Sequence, residues 1–441
     1  MVRFLPNLLY NKTMLNRMVT YRLYPNAEQE SRLQETLGLH QRLYNAALEE
    51  RIRVYRETGK SLSFADQCKI LTQWRKTVPA LADLNAQSEQ VTLKRLHLVF
   101  QHFFRRLKNG ETPGFPRFKS LRRYPGWGYK THGDGWKLHP GENGKHGKLY
   151  LQGMGLVPIR GKARTAGQPV TCEILRKAGK WYASVTLEIE TIQRERGTGV
   201  GAFDRGVTDF LTIATLHGIE TVKNPRHMRN QLAELKRLSR EVSRKIVAAQ
   251  KTSGRKKGFP VSHGLRKAIH ALGCLHAKIA RSRKNFLHQT SAWLVKRFGA
   301  LATEALNVQS MTKSGKGSRK KGLIREVLST SPSAFLKMSK TKAEEAGSWY
   351  EEAPTREIKP TQRCHACWKL PDEKKTLSDR QHQCPHCGIT CGRDENAALV
   401  LLRWLEMRLA GETGLCSPQG AGQELPDVWS GVRPRETVAP A

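Results

Sequence analysis

Acidic side chains are in short supply. The chain has 441 residues, and 38 Asp and Glu face 76 Lys and Arg, a formal net charge of +38. A merely solvated surface needs no such excess, so the imbalance implies a polyanionic partner. Long apolar runs are missing too, since none approaches the ~18 residues that a membrane-spanning helix needs. The early Phe4-Leu-Pro-Asn-Leu-Leu-Tyr10 is too short for a span and lacks a cleavage-like end. Without a secretory signal, disulfides are disfavoured, and nine cysteines point to a reducing, cytoplasmic setting. Cys68, Cys172, Cys274 and Cys416 are scattered singly and read as buried or idle thiols.

What is present is concentrated near the C-terminus. Cys364-His-Ala-Cys367 is followed, after sixteen residues, by Cys384-Pro-His-Cys387. Two Cys-x-x-Cys knuckles at this separation form the ligand set of a zinc ribbon, each supplying two thiolates to a tetrahedral shell around a structural Zn²⁺. Cys391 is a fifth nearby thiol and a possible substitute, but the regular pairs suffice without it. Asp394 then opens a helix reading Asn396-Ala-Ala-Leu-Val-Leu-Leu, where the helix dipole favours an ionised carboxylate. Taken alone, Asp394 is a helix-start acid.

Length allows about two to four domains. Alternation over 18–24 reads as a strand, and Pro25-Asn26 ends it. Helical periodicity follows to Gly59 and again over 64–109, where Val91, Leu96, Phe100, Phe103 and Phe104 lie beside Arg95, Arg105 and Arg106. Those aromatics read as core rather than as base-stacking platforms, and the basic side is expected to face phosphates. Thr112-Pro-Gly-Phe-Pro-Arg117-Phe-Lys119 is a punctuated basic loop in which Arg117 and Lys119 can meet phosphate. Short Gly-separated strands from 136 to 190 read as a small β-barrel. Beyond a polar hinge at 194–199, apolar strands surround Asp204, and Asp209 reads as a structural strand-end acid. Helical periodicity over 229–250 and 262–298 predicts a basic hairpin, and Glu304 ends another strand. The stretch 310–322 is low-complexity and basic, read either as a mobile lid or as a solvated linker. A helix over 323–347 and a strand over 357–361 are expected before the ribbon.

Two knuckles followed by Arg393-Asp394-Glu395-Asn396-Ala397-Ala398 resemble the C-terminal signature of TnpB proteins, RNA-guided nucleases of insertion sequences that are related to type V CRISPR effectors. The opening at 21–29, the Gly-Phe-Pro-Arg-Phe at 114–118, the Asp204 turn and the Glu304 strand are similar to family features in the same order. The resemblance implies an α+β multidomain fold: a RuvC/RNase H-like nuclease domain with a zinc ribbon, plus an N-terminal wedge-like β-barrel with a helical insertion. The expected organisation is a disordered extension at 1–17, the barrel at 18–25 and 110–192, and the helical recognition insertion at 26–109. The nuclease domain follows at 193–363, with hairpin 229–298 and lid 310–322. The ribbon occupies 364–388, the rest of the nuclease domain 389–410, and a disordered tail 411–441.

The resemblance also implies that Asp204, Glu304 and Asp394 share one cleft. Three carboxylates there would repel one another unless divalent metal neutralised them, and hard oxygen ligands select Mg²⁺ or Mn²⁺. Two such ions ~3.5–4 Å apart would clamp an in-line displacement at phosphorus. Asp204 would bridge both, with Glu304 and Asp394 taking one each, interchangeably. Arg205 or Arg393 would hold the scissile strand. Gln87 and Gln90 sit where the family reads its target-adjacent motif, and Gln can pair bidentately with adenine.

The implied protein is an RNA-guided DNA endonuclease of a mobile element, associated with the nucleoid. Its partners are a guide RNA from that element and target double-stranded DNA, with no membrane. The alternatives are a nuclease-inactive RNA-guided repressor, a strand-joining transposase and a compact CRISPR effector. Two departures stand out. Trp368 takes the place of the glycine that usually follows the first knuckle, which would re-aim that knuckle. Residues 323–347 lack the family's aromatic Gly-Trp pattern, which would alter the lid.

Overall fold

The computed structural model describes residues 15–163, 166–189, 194–312, 318–376, 379–412 and 436–437. The expected extension up to residue 14, the centre of the 310–322 stretch and nearly all of the 411–441 tail lie outside the described residues. The chain divides at 191/192 into two units.

In the first unit, strand β1 (Leu15–Leu23) is followed by helices α1 (Ala27–Thr58), α2 (Phe64–Thr77), α3 (Pro79–Ala82) and α4 (Ala86–Lys108). Strands β2 (Gly126–Tyr129), β3 (Trp136–Pro140), β4 (Gly147–Leu151), β5 (Gly155–Arg160), β6 (Gln168–Lys177) and β7 (Lys180–Ile189) complete it. The sheet order is β2-β6-β7-β1-β5-β4-β3, with antiparallel ladders throughout. The first strand therefore lies in the middle, between β5 and β7, and the helices interrupt the sheet in sequence. Alternation explains β7, whose Trp181, Ala183, Val185, Leu187 and Ile189 are buried.

A capping box of Asn26 and Gln29 starts α1, and Gly59 at φ +70° stops it. Helix α4 packs on α1 and β2. Between them lies His40, buried, with Nδ1 2.9 Å from Thr92 Oγ1 and its ring stacked on Trp127 at 5.7 Å. The aromatics of α4 are only partly core. Phe100 is buried but Phe104 is half exposed, because α4 outruns the elements that cover it; Phe115 and Phe118, in the loop after α4, are also at least half exposed.

The second unit runs β8 (Gly199–Arg205), β9 (Asp209–Thr215), β10 (Gly218–Lys223), α5 (Leu232–Ser253), α6 (His263–Arg297) and β11 (Phe298–Glu304). It continues with α7 (Val308–Met311), α8 (Ser318–Thr330), α9 (Pro332–Ala346), β12 (Trp349–Ala353) and α10 (Thr355–Ile358). The last elements are β13 (Gln381–Gln383), β14 (Thr390–Gly392), α11 (Arg393–Glu412) and β15 (Glu436–Thr437). The main sheet has the order β12-β11-β8-β9-β10-β15. Strands β8, β9 and β10 form an antiparallel meander, while β11 runs parallel to both β8 and β12.

Each face of this sheet has its own cover. Phe203, Leu301, Phe210 and Phe335 form one core with α6 and α9. On the other face, Ala202, Ala214, Ala300, Ala302 and Ala353 meet Ala398, Leu401, Leu402 and Leu405 of α11. Alanines on both sides let the helix lie close to the sheet.

Two expectations fail between β11 and the ribbon. The single helix over 323–347 is broken into α8 and α9 at Ser331, φ +51°, because Pro332 has no N–H for a continuing helix and restricts the residue before it. The strand expected at 357–361 is instead the helical turn α10 and the bend that follows it. The fifth strand is β12, eight residues earlier, whose polar Glu351 and Glu352 hide its pairing with β11.

Candidate active site and metal centre

Parallel pairing of β8 with β11 sets Phe203 opposite Thr303, so the next residues, Asp204 and Glu304, leave neighbouring strand ends on the same face. That face also carries Ala202 and Ala302 and is covered by α11. Asp394 lies in the first turn of α11. One packing arrangement thus brings together three acids that are 100 and 90 residues apart in sequence.

The acids feel one another. Burial first, then the charges of Glu304 and Asp394, push the Asp204 carboxyl up to about 7, against the Arg205 amide and guanidinium, which pull it down. Burial also raises Glu304, opposed by the Arg205 charge and the Thr355 hydroxyl. A buried carboxyl crowded by like charges is the chemistry that a divalent cation satisfies.

Arg205 itself is not presented to solvent. It is largely buried, Nη2 donates to the Glu304 carbonyl at 3.0 Å, and Nη1 is buried without a partner. It braces the end of β11 rather than reaching out for a strand. Arg393 is also turned inward: Nε donates to Asp394 Oδ1 at 3.3 Å and Nη1 to the Asp379 carbonyl at 3.2 Å.

The ribbon cysteines converge. The sulfurs of Cys364, Cys367, Cys384 and Cys387 all lie within 4.8 Å of one another. Two of the separations are 3.7 Å (Cys364–Cys387) and 3.5 Å (Cys367–Cys384). A tetrahedron with Zn–S near 2.3 Å has edges of about 3.8 Å, so the four thiols fit zinc. Cys391 stays outside the set, in β14 opposite His382.

The two knuckles share one hydrogen-bond pattern. Trp368 N donates to Cys364 O and Gly388 N to Cys384 O, both at 3.0 Å, while Cys364 N and Cys384 N donate to Lys369 O and Ile389 O. Trp368 therefore does not re-aim its knuckle. It takes the left-handed conformation, φ +63°, just as Gly388 does at +73°. Its ring lies between the guanidiniums of Arg363 and Arg403, at 5.0 and 5.2 Å.

Helix α11 is fastened to the first knuckle. Asn396 is fully buried, and its Nδ2 donates to Arg363 O at 2.7 Å and Pro360 O at 3.3 Å. Its Oδ1 accepts the His365 amide at 3.1 Å and lies 3.0 Å from His365 Nδ1. Arg403, two turns on, donates to the His365 and Ala366 carbonyls. Sequence reasoning gave Asn396 and Arg403 no role. Their seven-residue spacing, two helical turns, was the available signal.

The candidate nucleic-acid residues of the first unit differ among themselves. Gln90 accepts from Lys130 at 3.0 Å, and Gln87 Oε1 is buried without a partner. Arg105 and Arg117 are exposed, and Arg106 pairs with Glu111 at 2.8 Å. Lys119 is the least available: its main chain is held by Gln41 and Asn45, and its ammonium lies over Tyr44 at 4.7 Å.

Three family profiles match the chain and together cover more than half of it. Residues 184–315 match OrfB_IS605, described as a probable transposase; this segment holds Asp204 and Glu304. Residues 333–401 match the Cas12f1-like TNB domain, which takes in the four cysteines and Asp394. Residues 14–60 match the OrfB_IS605 helix-turn-helix domain, though here they fold as β1 and one long helix, α1. A Streptomyces pristinaespiralis protein named "Putative RNA-guided DNA endonuclease" is 27% identical over 397 residues, covering 88% of this chain and 89% of its own. InsQ of Escherichia coli (strain K12), which carries the same description, is 25% identical over 395 residues, covering 87% and 90%. Among solved structures, the Cas12f1–sgRNA–target DNA complex superposes with a TM-score of 0.49 at 13% identity, covering 88% of this chain and 99% of that one, a likeness too loose to add to the argument. In its three profile matches and in these relatives, the chain is similar to the TnpB family, the probable transposases of the OrfB_IS605 type.

Proposed function

We propose that this protein is an RNA-guided DNA endonuclease of a mobile element. In this reading, a guide RNA from that element pairs with target double-stranded DNA beside a short flanking motif. The observation that carries the proposal is the convergence of Asp204, Glu304 and Asp394 in a chain of net charge +38. The names of the full-length relatives support it.

The second unit, with β10-β9-β8-β11-β12 as its sheet, is the RuvC/RNase H-like nuclease domain. The first unit is the wedge-like barrel, with α1 to α4 as its recognition insertion. Gln87 and Gln90 read the flanking motif, and Arg105, Arg106 and Arg117 hold phosphates there.

Asp204, Glu304 and Asp394 are the ligands of Mg²⁺ or Mn²⁺. A divalent ion held by these carboxylates would offset their mutual repulsion and would supply Lewis-acid chemistry for phosphodiester hydrolysis. Asp204, buried between the other two acids, would be the central ligand. Arg205 holds the end of β11 so that Glu304 stays aligned with it. The closeness of α11 to the sheet excludes bulk water from the inner side of the cleft. Zinc, in the four cysteines, is structural. The site of action is the nucleoid.

The test is a paired assay of target binding and cleavage. Asp204→Ala, Glu304→Ala and Asp394→Ala should each abolish cutting, by a factor of at least about 10³, while guided DNA binding persists. Ca²⁺ in place of Mg²⁺ should give the same split. Mutants that cut normally would overturn the site. A wild type that binds with Mg²⁺ present and never cuts would make the chain a guided repressor.

A further inference from the structure

Asp204 and Glu304 are held by a sheet, but Asp394 is held only as well as α11 is. We propose that Asn396 is a positioning residue that transmits the geometry of the cysteine ribbon to Asp394, so that zinc occupancy sets the divalent-cation affinity of the carboxylate cleft. The proposal rests on the reading of that cleft as a metal-binding nuclease centre.

Asn396 uses every hydrogen-bonding capacity an amide has. Two N–H bonds go to the Pro360 and Arg363 carbonyls, and the carbonyl oxygen faces the His365 amide and ring nitrogen. Arg363 and His365 flank Cys364 and Pro360 lies four residues before it, so this side chain is plugged into the loop that zinc closes. Asn396 is fully buried, and water cannot replace a lost partner without cost. It also lies in the same helical turn as Asp394, two residues on. A shift of the Cys364 loop therefore reaches Asp394 through about one turn of helix.

Arg393, just ahead of Asp394, is tied elsewhere in the ribbon, its N–H donating to the Arg380 carbonyl at 2.9 Å and its Nη1 to the Asp379 carbonyl at 3.2 Å. Arg403 ties the same loop to α11, but two turns further from Asp394. Glu395 points back along the chain and takes the Gly392 amide at 3.0 Å. A Cβ at Gly392 would stand 3.0 Å from the Glu395 carboxyl, so a side chain there would push that carboxylate aside by a few tenths of an ångström. At the start of α11, Asn396 is thus the side chain that reaches the Cys364 loop.

The chemistry makes a sharp variant. Asn396→Asp keeps the shape but removes both donors and sets a carboxylate against two carbonyls. Asn396→Ala removes all four bonds. Arg403→Met breaks the distal fastening only. The experiment titrates Mn²⁺ into the full chain with its copurified RNA and follows the electron paramagnetic resonance signal of free Mn²⁺, taking Asp204→Ala as background. Zinc content and thermal stability are measured on the same samples.

With one zinc retained per chain, both Asn396 variants should weaken Mn²⁺ binding by at least about tenfold and raise the Mg²⁺ midpoint for cleavage in step. Arg403→Met should lower thermal stability and leave Mn²⁺ affinity unchanged. Wild type stripped of zinc by a chelator should lose Mn²⁺ affinity as the Asn396 variants do. Unchanged Mn²⁺ affinity in the Asn396 variants or in zinc-stripped wild type would overturn the proposal. So would losses in all three variants that simply track thermal stability. The Mn²⁺ readout needs no DNA, so a wild type that binds Mn²⁺ but cuts nothing would remove the nuclease reading and leave this coupling standing.

Discussion

Trp368 carries a backbone conformation that side chains with a Cβ seldom adopt, φ +63°. Such a residue costs roughly 1–2 kcal/mol against the right-handed alternative. The ring offsets this by lying between Arg363 and Arg403 and packing against the α11 core. Strain and packing can be separated. Trp368→Gly loses the ring and relieves the backbone, while Trp368→Ala loses the ring and keeps the strain. Both should destabilise the ribbon, with Ala worse than Gly by about 1 kcal/mol in chemical unfolding of the zinc-loaded protein. Equal losses would mean that the knuckle relaxes its backbone once the indole is gone.

Sequence spacing made the four cysteines legible, because metal ligation fixes their separations. It made the position of Trp368 legible and its conformation not, since nothing local says that a bulky residue will copy a glycine. The acids divide in the same way. Asp204 and Glu304 stand at the ends of apolar runs that read as strands, but their shared register is a property of pairing. Asn396 was visible only as part of a signature, and its partners lie about thirty residues back in the chain.

At the scale of elements, the α1–α4–β2 junction is built around a histidine that cannot charge. Burial, helped by the nearby Arg95 guanidinium, pulls His40 from its ordinary 6.5 down to about 3. In the unfolded chain it protonates near 6.5. The folded state therefore binds fewer protons between those values. The stability this neutral ring confers is full above pH 6.5 and falls progressively as pH drops toward 3. The loss should approach the order of 4 kcal/mol at the acid end. His40→Gln, which does not titrate, should flatten the pH dependence of unfolding between pH 6 and 4. An unchanged slope would assign the acid sensitivity to other groups.

Elements themselves were legible where periodicity is strong. The repeats of leucine and isoleucine over 229–250 and 262–298 fall in α5 and α6. They were not legible where tertiary pairing overrides composition. Trp349-Tyr-Glu-Glu-Ala becomes β12 because β11 offers it an edge, although its middle residues are polar. The break at Ser331 needed only the local rule for the residue before proline, and the apolar pattern across 323–347 masked it.

At the scale of the whole molecule, charge dominates. Both acids of the α5–α6 hairpin are spoken for, Glu234 by Arg237 at 2.7 Å and Glu241 by Arg237 and Lys245, which leaves its other cations unneutralised by acids of the hairpin. A protein so charged should hold RNA by releasing counterions from phosphates. The logarithm of the binding constant should fall linearly with the logarithm of salt concentration. Contacts to about 6–10 phosphates would cost about 10³–10⁵ in affinity between roughly 50 and 200 mM salt. Filter binding of the copurified RNA across that range measures the slope. A flat response would exclude the polyanion as the partner that the charge serves.

The position of β1 bears on how the chain comes off the ribosome. Leu15–Leu23 is made first, yet its longest ladder is with Lys180–Ile189. At about 5–20 residues per second, the central strand of the first sheet waits on the order of 10–30 s for its neighbour. Through that interval it is an unpaired edge able to find wrong partners. The helices α1 to α4 are local structures that can form during the wait. A nascent chain arrested before residue 180 should therefore be helical but unsheeted, and should pass into a protease-resistant state only once β7 has cleared the exit tunnel.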